Sequence, residues 1–120
     1  MSKVVCVIEL ELADGVEADR FERFTLDEYL PAVASLGMTV ALLRGDRGER
    51  DRGFLLLQEF ESVEHRNQLF PGSETPSLEA ARWIETHQEL VTAWNALVAS
   101  AHMTHYELRG CSPPSTQPCS

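Results

Sequence analysis

The sequence predicts an α+β domain in which an antiparallel four-stranded sheet carries helices on one face. Three observations predict it. Period-two or continuous apolar runs occur at Lys3–Leu12, Met38–Arg44, Gly53–Phe60 and His102–Leu108. Two long stretches of helical periodicity, near Ala18–Leu36 and Pro76–Ser100, separate the first strand from the second and the third from the fourth. A glycine-rich turn joins the two middle strands. The resulting order, β-α-β-β-α-β, is the split βαβ arrangement, here with one short helix added after the third strand.

The first strand, KVVCVIELEL, places Cys6, Ile8, Leu10 and Leu12 on an all-apolar face and Val5, Val7, Glu9 and Glu11 on a mixed one. Asp14-Gly15 supplies the turn that follows. In the next stretch Phe21, Tyr29, Ala32, Val33 and Leu36 share a broad side, with Leu26 and Leu30 at its edge. Pro31 lacks a backbone N–H and disfavours helical geometry at Leu30, which predicts a kink near Tyr29–Leu30. Gly37 is the natural C-cap.

GDRGERDRG, spanning Gly45 to Gly53, reads as an exposed hairpin connection. Its arginines, with Arg44, can meet an acidic ligand, but Asp46, Glu49 and Asp51 nearly neutralise them, which favours a solvated turn. The run FLLLQEF is apolar on both faces, as in a central strand. Ser62 can cap the short helix SVEHRNQLF.

Pro76–Ser100 is the organising element. Thr75 is the expected N-cap before Pro76, and Trp83, His87, Leu90, Trp94 and Leu97 form one stripe at helical spacing. As one helix, its 25 residues would span about 37 Å.

The chain of 120 residues is expected to be one domain, residues 1–110, with a disordered tail over 111–120. Its net charge of −9 argues against nucleic acid as a partner. No apolar run reaches the ~18 residues of a membrane span and no signal peptide is evident, so no membrane partner is expected. Cys6, Cys111 and Cys119 read as reduced thiols of a cytoplasmic protein. The apolar outer face of the sheet, with Val5, Val7 and one side of the third strand, calls for a second subunit to cover it.

The segments VIELELADGVEADRFERFTLDEYLPAV, LLRGDRGERDRGFLLLQEF and ESVEHRNQLFP resemble the dimeric α/β-barrel superfamily. The resemblance covers roughly residues 3 to 109 and includes antibiotic-biosynthesis monooxygenases, EthD-like and NIPSNAP-like proteins and small polyketide cyclases. It implies a ferredoxin-like fold, pairing of two sheets across a homodimer, and a pocket between sheet and helices. Small cyclases of this fold use tyrosine–histidine pairs, which adds to the interest of Tyr29.

Among candidate site residues, His87 comes first. An imidazole in an apolar cleft can move protons near neutral pH; alternatively it is a core histidine bound to a backbone carbonyl. Tyr29 is its expected partner donor or an aromatic core residue. Trp83, Trp94, Leu90 and Phe24 are the expected substrate walls, with core packing as the alternative. A second constellation is expected at one sheet edge. The first and third strands are expected to lie adjacent and parallel, so that Glu9 and Glu59 approach one another there, joined by His65, His102 and His105, for metal binding or acid–base work. No spacing matches a metal motif, so no metal or other cofactor is assigned. The reading favoured by these residues is a cofactor-independent enzyme of secondary metabolism that cyclises or isomerises an apolar aromatic or polyketide-like substrate. The alternatives are a cofactor-independent monooxygenase of the antibiotic-biosynthesis type, with Asn67 and Asn95 as polar orienters, and a non-catalytic ligand-binding or dimerisation module.

Overall fold

A computed structural model of the protein describes residues 3–48, 53–72 and 76–112. Residues 113–120 of the expected tail, together with Thr75, Arg50 and Arg52, lie outside the described residues. The elements are β1 (Val4–Leu12), α1 (Ala18–Phe24), a π-helical turn (Thr25–Tyr29), α2 (Leu30–Ala34), β2 (Thr39–Arg44), β3 (Phe54–Phe60), α3 (Val63–Leu69), α4 (Leu78–Thr86), α5 (Gln88–Asn95) and β4 (Val98–Glu107). The four strands form one sheet in the order β2-β3-β1-β4, and every neighbouring pair is antiparallel. This is the expected α+β fold. Among the described residues no helix is long and apolar enough to cross a membrane.

The alternation in β1 directs the core. Val4, Cys6, Ile8 and Leu10 are buried, and across the ladder Phe54, Leu56 and Phe60 of β3 join them on the same face. The helices cover that face with Phe21, Leu30, Val33, Leu69 and Trp94, and the turn after α5 adds Leu97. Burying a side chain of this size contributes roughly 1.5–3 kcal/mol. The opposite face carries half-buried Val5, Val7, Leu55 and Leu57 and exposed Leu43 and Tyr106.

One expected arrangement is corrected here. Strands β1 and β3 are adjacent but antiparallel, because the connection through α1 and β2 returns the chain in the opposite direction. Glu9 pairs with Leu55, whereas Glu59 pairs with Val5. The two glutamates share the outer face but stand four residues, or about 13 Å, apart along it.

The break expected near Pro31 is present, as a π turn. Pro31 offers no N–H to the carbonyl of Asp27, and the Leu30 N–H bonds instead to Thr25 O, five residues back. The inserted residue changes which side chains point inward. Buried positions run Phe21, Thr25, Leu30 and Val33, so Leu30, expected at the edge, lies in the core, and Leu26 stays exposed. Gly37 closes the segment at φ 104°, a backbone conformation that glycine adopts without steric cost.

The single long helix of the expectation is two. Its N-cap is Ser77, whose hydroxyl accepts from the Ala80 N–H at 3.1 Å. The axis breaks at His87 (φ −107°, ψ 27°). There Thr86 Oγ1 donates to Arg82 O at 2.9 Å and His87 Nδ1 lies 2.9 Å from Trp83 O, and such side-chain bonds to the preceding turn bend helices. The helix ends at Asn95, and β4 starts at Val98 rather than His102, with a bulge opposite Glu11 and Leu12. The stripe survives the break: Trp94 and Leu97 are buried, and Trp83, His87 and Leu90 are half-buried.

Trp94 ties the two helical segments together. Its indole N–H donates to the buried Thr25 hydroxyl at 3.1 Å. Thr25→Val keeps the shape and removes the acceptor, which leaves a buried donor unsatisfied. Denaturant unfolding should show a loss of roughly 1–3 kcal/mol for Thr25→Val and little for Thr25→Ser. Equal stability of the two variants would show that the bond contributes nothing net.

Candidate functional site

Between the helices and the sheet lies a cavity of about 270 Å³. Ile8 and Leu56 form its floor on the sheet, and Ala101 and Met103 of β4 extend that floor to the edge. Tyr29 comes from the π turn, Val33 from α2 and Leu36 from the turn that follows it, and Trp83, Val91 and Trp94 come from α4 and α5. Tyr29 is its only titratable lining residue among the described residues, and Gln58 adds an amide.

The tryptophans are fixed before any ligand enters. Trp83 Nε1 donates to Ala32 O at 2.9 Å and to Ser35 Oγ at 3.0 Å. Trp94 is held by Thr25 and by the Tyr29 ring, stacked at 4.3 Å and 5°. With their polar atoms engaged, both indoles offer the cavity flat apolar surface. Burial pushes the Tyr29 phenol up to about 12. At neutral pH it is a hydrogen-bond donor, not a base.

The expected Tyr29–His87 pair is not assembled in the described structure. His87 stacks on Trp83 (4.4 Å, 25°), and Tyr29 stacks on Trp94. A carbonyl only accepts, so the His87 proton facing Trp83 O sits on Nδ1. That geometry matches a histidine bonded to backbone, and His87 does not line the cavity. Leu90 is half-buried without lining it, and Phe24 packs on the core while lining a surface cleft with Arg20, Arg23, Asp27 and Glu28.

Nor does the glutamate–histidine edge come together. Glu9 faces His102 across the outer ladder, at the far end from Glu59. His65 stands at the start of α3, its Nδ1 accepting the Glu61 N–H at 3.2 Å and its ring against Phe60. His105 lies on the inner face opposite Cys6. Antiparallel pairing separates what parallel pairing would have gathered. No group of three or more His, Cys, Asp or Glu side chains that could hold a metal occurs among the described residues. Arg44 is engaged by Asp19 at 2.8 Å and Glu22 at 3.5 Å on the surface. Asn95 is exposed at the end of α5.

His105 belongs to a different cluster, one not expected from the sequence. Arg66 Nη1 lies 2.9 Å from His105 Nδ1, and His105 Nε2 lies 3.8 Å from Cys6 Sγ. A guanidinium only donates, so Nδ1 accepts and the imidazole proton sits on Nε2, facing the sulfur. Burial first, and then the Arg66 charge, lower the His105 pKa below its usual 6.5. Burial likewise pushes the Cys6 thiol up to about 11, against a smaller opposing effect of Arg66. Cys6 is a free thiol, but Cys111 is disulfide-bonded, which corrects the expectation of three reduced cysteines. The period-two pattern of β4 could have placed His105 on the inner face; its meeting with Arg66 carries no sequence signal.

No family model matches the chain, and its sequence matches no curated protein. Solved structures do match its fold. A NIPSNAP family protein of unknown function from Agrobacterium tumefaciens superposes with a TM-score of 0.67 at 15% identity, covering 92% of each chain. A NIPSNAP-like domain protein from Burkholderia xenovorans gives 0.67 at 16%, covering 93% of this chain and 90% of that one. SnoaB, a cofactor-independent oxygenase from Streptomyces nogalater, gives 0.57 at 14%, covering 94% of this chain and 99% of that one.

The lowered His105 pKa has a consequence for stability. Among the described residues, Cys6 and Arg66 are the titratable groups in contact with the ring, and neither supplies a negative charge to stabilise an imidazolium. Below pH 6.5 the unfolded chain takes up a proton that the folded chain resists, so stability is lost as pH falls from 6.5 through the lower folded value. His105→Gln should remove that component, seen as a flatter unfolding free energy between pH 7 and pH 5 than in the wild type. Parallel pH profiles would refute it.

The element order, the antiparallel sheet and these superpositions together show that the chain has a ferredoxin-like α+β fold, which it shares with these NIPSNAP proteins and SnoaB.

Proposed function

We propose that the protein is a small cofactor-independent enzyme that binds a flat apolar molecule, aromatic or polyketide-like, between its helices and sheet. The reaction is proton transfer next to a carbonyl, leading to cyclisation or isomerisation. The observation that carries this reading is the apolar cavity walled by both tryptophans with the protonated Tyr29 phenol in its lining. A preorganised donor in a low-dielectric site stabilises the enolate oxygen that forms as the adjacent carbon loses a proton to water. His87 supports this site from behind Trp83, as a positioning residue.

Fold likeness to SnoaB favours a second reading, in which the bound molecule is a phenolic polycycle that reacts with oxygen. Uptake of oxygen with a hydroxynaphthalene, accompanied by ring hydroxylation, would select it. Saturable binding without exchange or oxygen uptake would instead identify a non-catalytic binding module.

Deuterium exchange at the carbon next to the carbonyl of tetralone, followed by NMR in heavy water, tests the first reading. The wild-type chain should accelerate exchange over buffer, and Tyr29→Phe should lose roughly 10²–10⁴ of that rate, the scale of one catalytic proton donor. Exchange no faster than buffer, or an undiminished Tyr29→Phe rate, would overturn it.

We further propose a homodimer through the outer sheet face, supported by its half-buried Val5, Val7, Leu55 and Leu57 and exposed Leu43 and Tyr106. Sedimentation at micromolar concentration should give twice the chain mass, and Leu57→Glu should halve it. A wild-type monomer would sink this assembly.

A further inference from the structure

A second cleft, of about 260 Å³, opens beside the apolar cavity. Its lining includes Arg66, Asn67, His105 and Phe70, and Phe70 also lines the apolar cavity, so one ring forms a wall of both. The strand β4 joins them as well. Met103 lines the cavity and His105 the cleft, and residues two apart on one strand face are about 7 Å apart.

The cleft has the chemistry of an anion site. A guanidinium carries five N–H donors. Nε is taken by Asn67 Oδ1 at 2.8 Å and one Nη1 donor by His105 at 2.9 Å, which leaves three. Arg66 has no carboxylate partner among the described residues, although acidic residues outnumber basic ones by 19 to 10 in the chain. Neutral His105 holds the guanidinium in place without cancelling its charge. A single uncompensated positive charge on a chain of net −9 suits a monoanion better than a dianion.

Resting on the cavity reading above, we infer that the ligand is an amphiphilic carboxylate whose apolar body fills the tryptophan-walled cavity and whose carboxylate passes Phe70 to meet Arg66. Asn67 and His105 act as positioning residues that orient the guanidinium. The assignment narrows the substrate class to aromatic or polyketide-like acids.

The test uses phenylbutyrate and its neutral amide, phenylbutyramide, titrated into the full chain. Trp83 and Trp94 are the chain's two tryptophans and both line the cavity, so their emission reports occupancy directly. The acid should bind about tenfold or more tightly than the amide, the scale of a charge-assisted hydrogen bond. Arg66→Gln should erase that preference by weakening the acid far more than the amide, and Arg66→Lys should retain part of it. Equal binding of acid and amide to the wild type, which needs no variant to fold, would overturn the carboxylate assignment and leave the cavity reading intact. So would a preference that survives Arg66→Gln. If neither ligand changes the emission, both readings fall.

Discussion

The hydrogen bond from the Trp94 indole to the Thr25 hydroxyl is the contact on which the site's geometry depends. Both groups are buried, and a donor out of reach of water must be met from within the protein. Thr25 can meet it because the π turn brings it into the core. That turn exists because Pro31 withholds a backbone donor, and its extra residue also leaves Tyr29 stacked flat on the ring that Thr25 holds. One missing N–H thus accounts for a buried hydroxyl, a fixed indole and an oriented phenol.

The cavity follows from the same restraint. Two helical segments cross the sheet without filling the space between them, since their largest side chains are pinned to each other and to backbone. Trp83 is tethered to Ala32 and Ser35, and His87 is tethered to Trp83. Neither ring can collapse inward without breaking a hydrogen bond, so apolar space is preserved in the cavity that Tyr29 lines. Charge is kept to the neighbouring cleft, where Arg66 leans on an uncharged imidazole. The two compartments share Phe70 and one face of β4.

How much of this was legible in the chain differs by element. The inner face of β1, the central character of β3, the Ser62 cap and the Pro31 break are local consequences of side-chain alternation, hydroxyl geometry and a missing donor. Each appears where the residues place it. The helix break at His87 was not legible, because an apolar stripe at helical spacing reads the same through a bend as through a straight axis. The cue, a Thr–His pair able to bond back to the preceding turn, is weak against the unbroken periodicity from Trp83 to Leu97.

The sequence by itself determined the fold class, the face on which the core forms, and the enclosure of Trp83, Trp94 and Tyr29 between helices and sheet. These follow from the period of apolar residues, which is a property of neighbours in the chain. Only the tertiary structure decided which polar groups meet. The antiparallel register of β1 and β3 drew Glu9 away from Glu59, and the return of β4 beside β1 set His105 against Cys6 and within reach of Arg66. Contacts between residues 39 and 99 positions apart depend on strand direction and helix placement, and no periodicity along the chain records either.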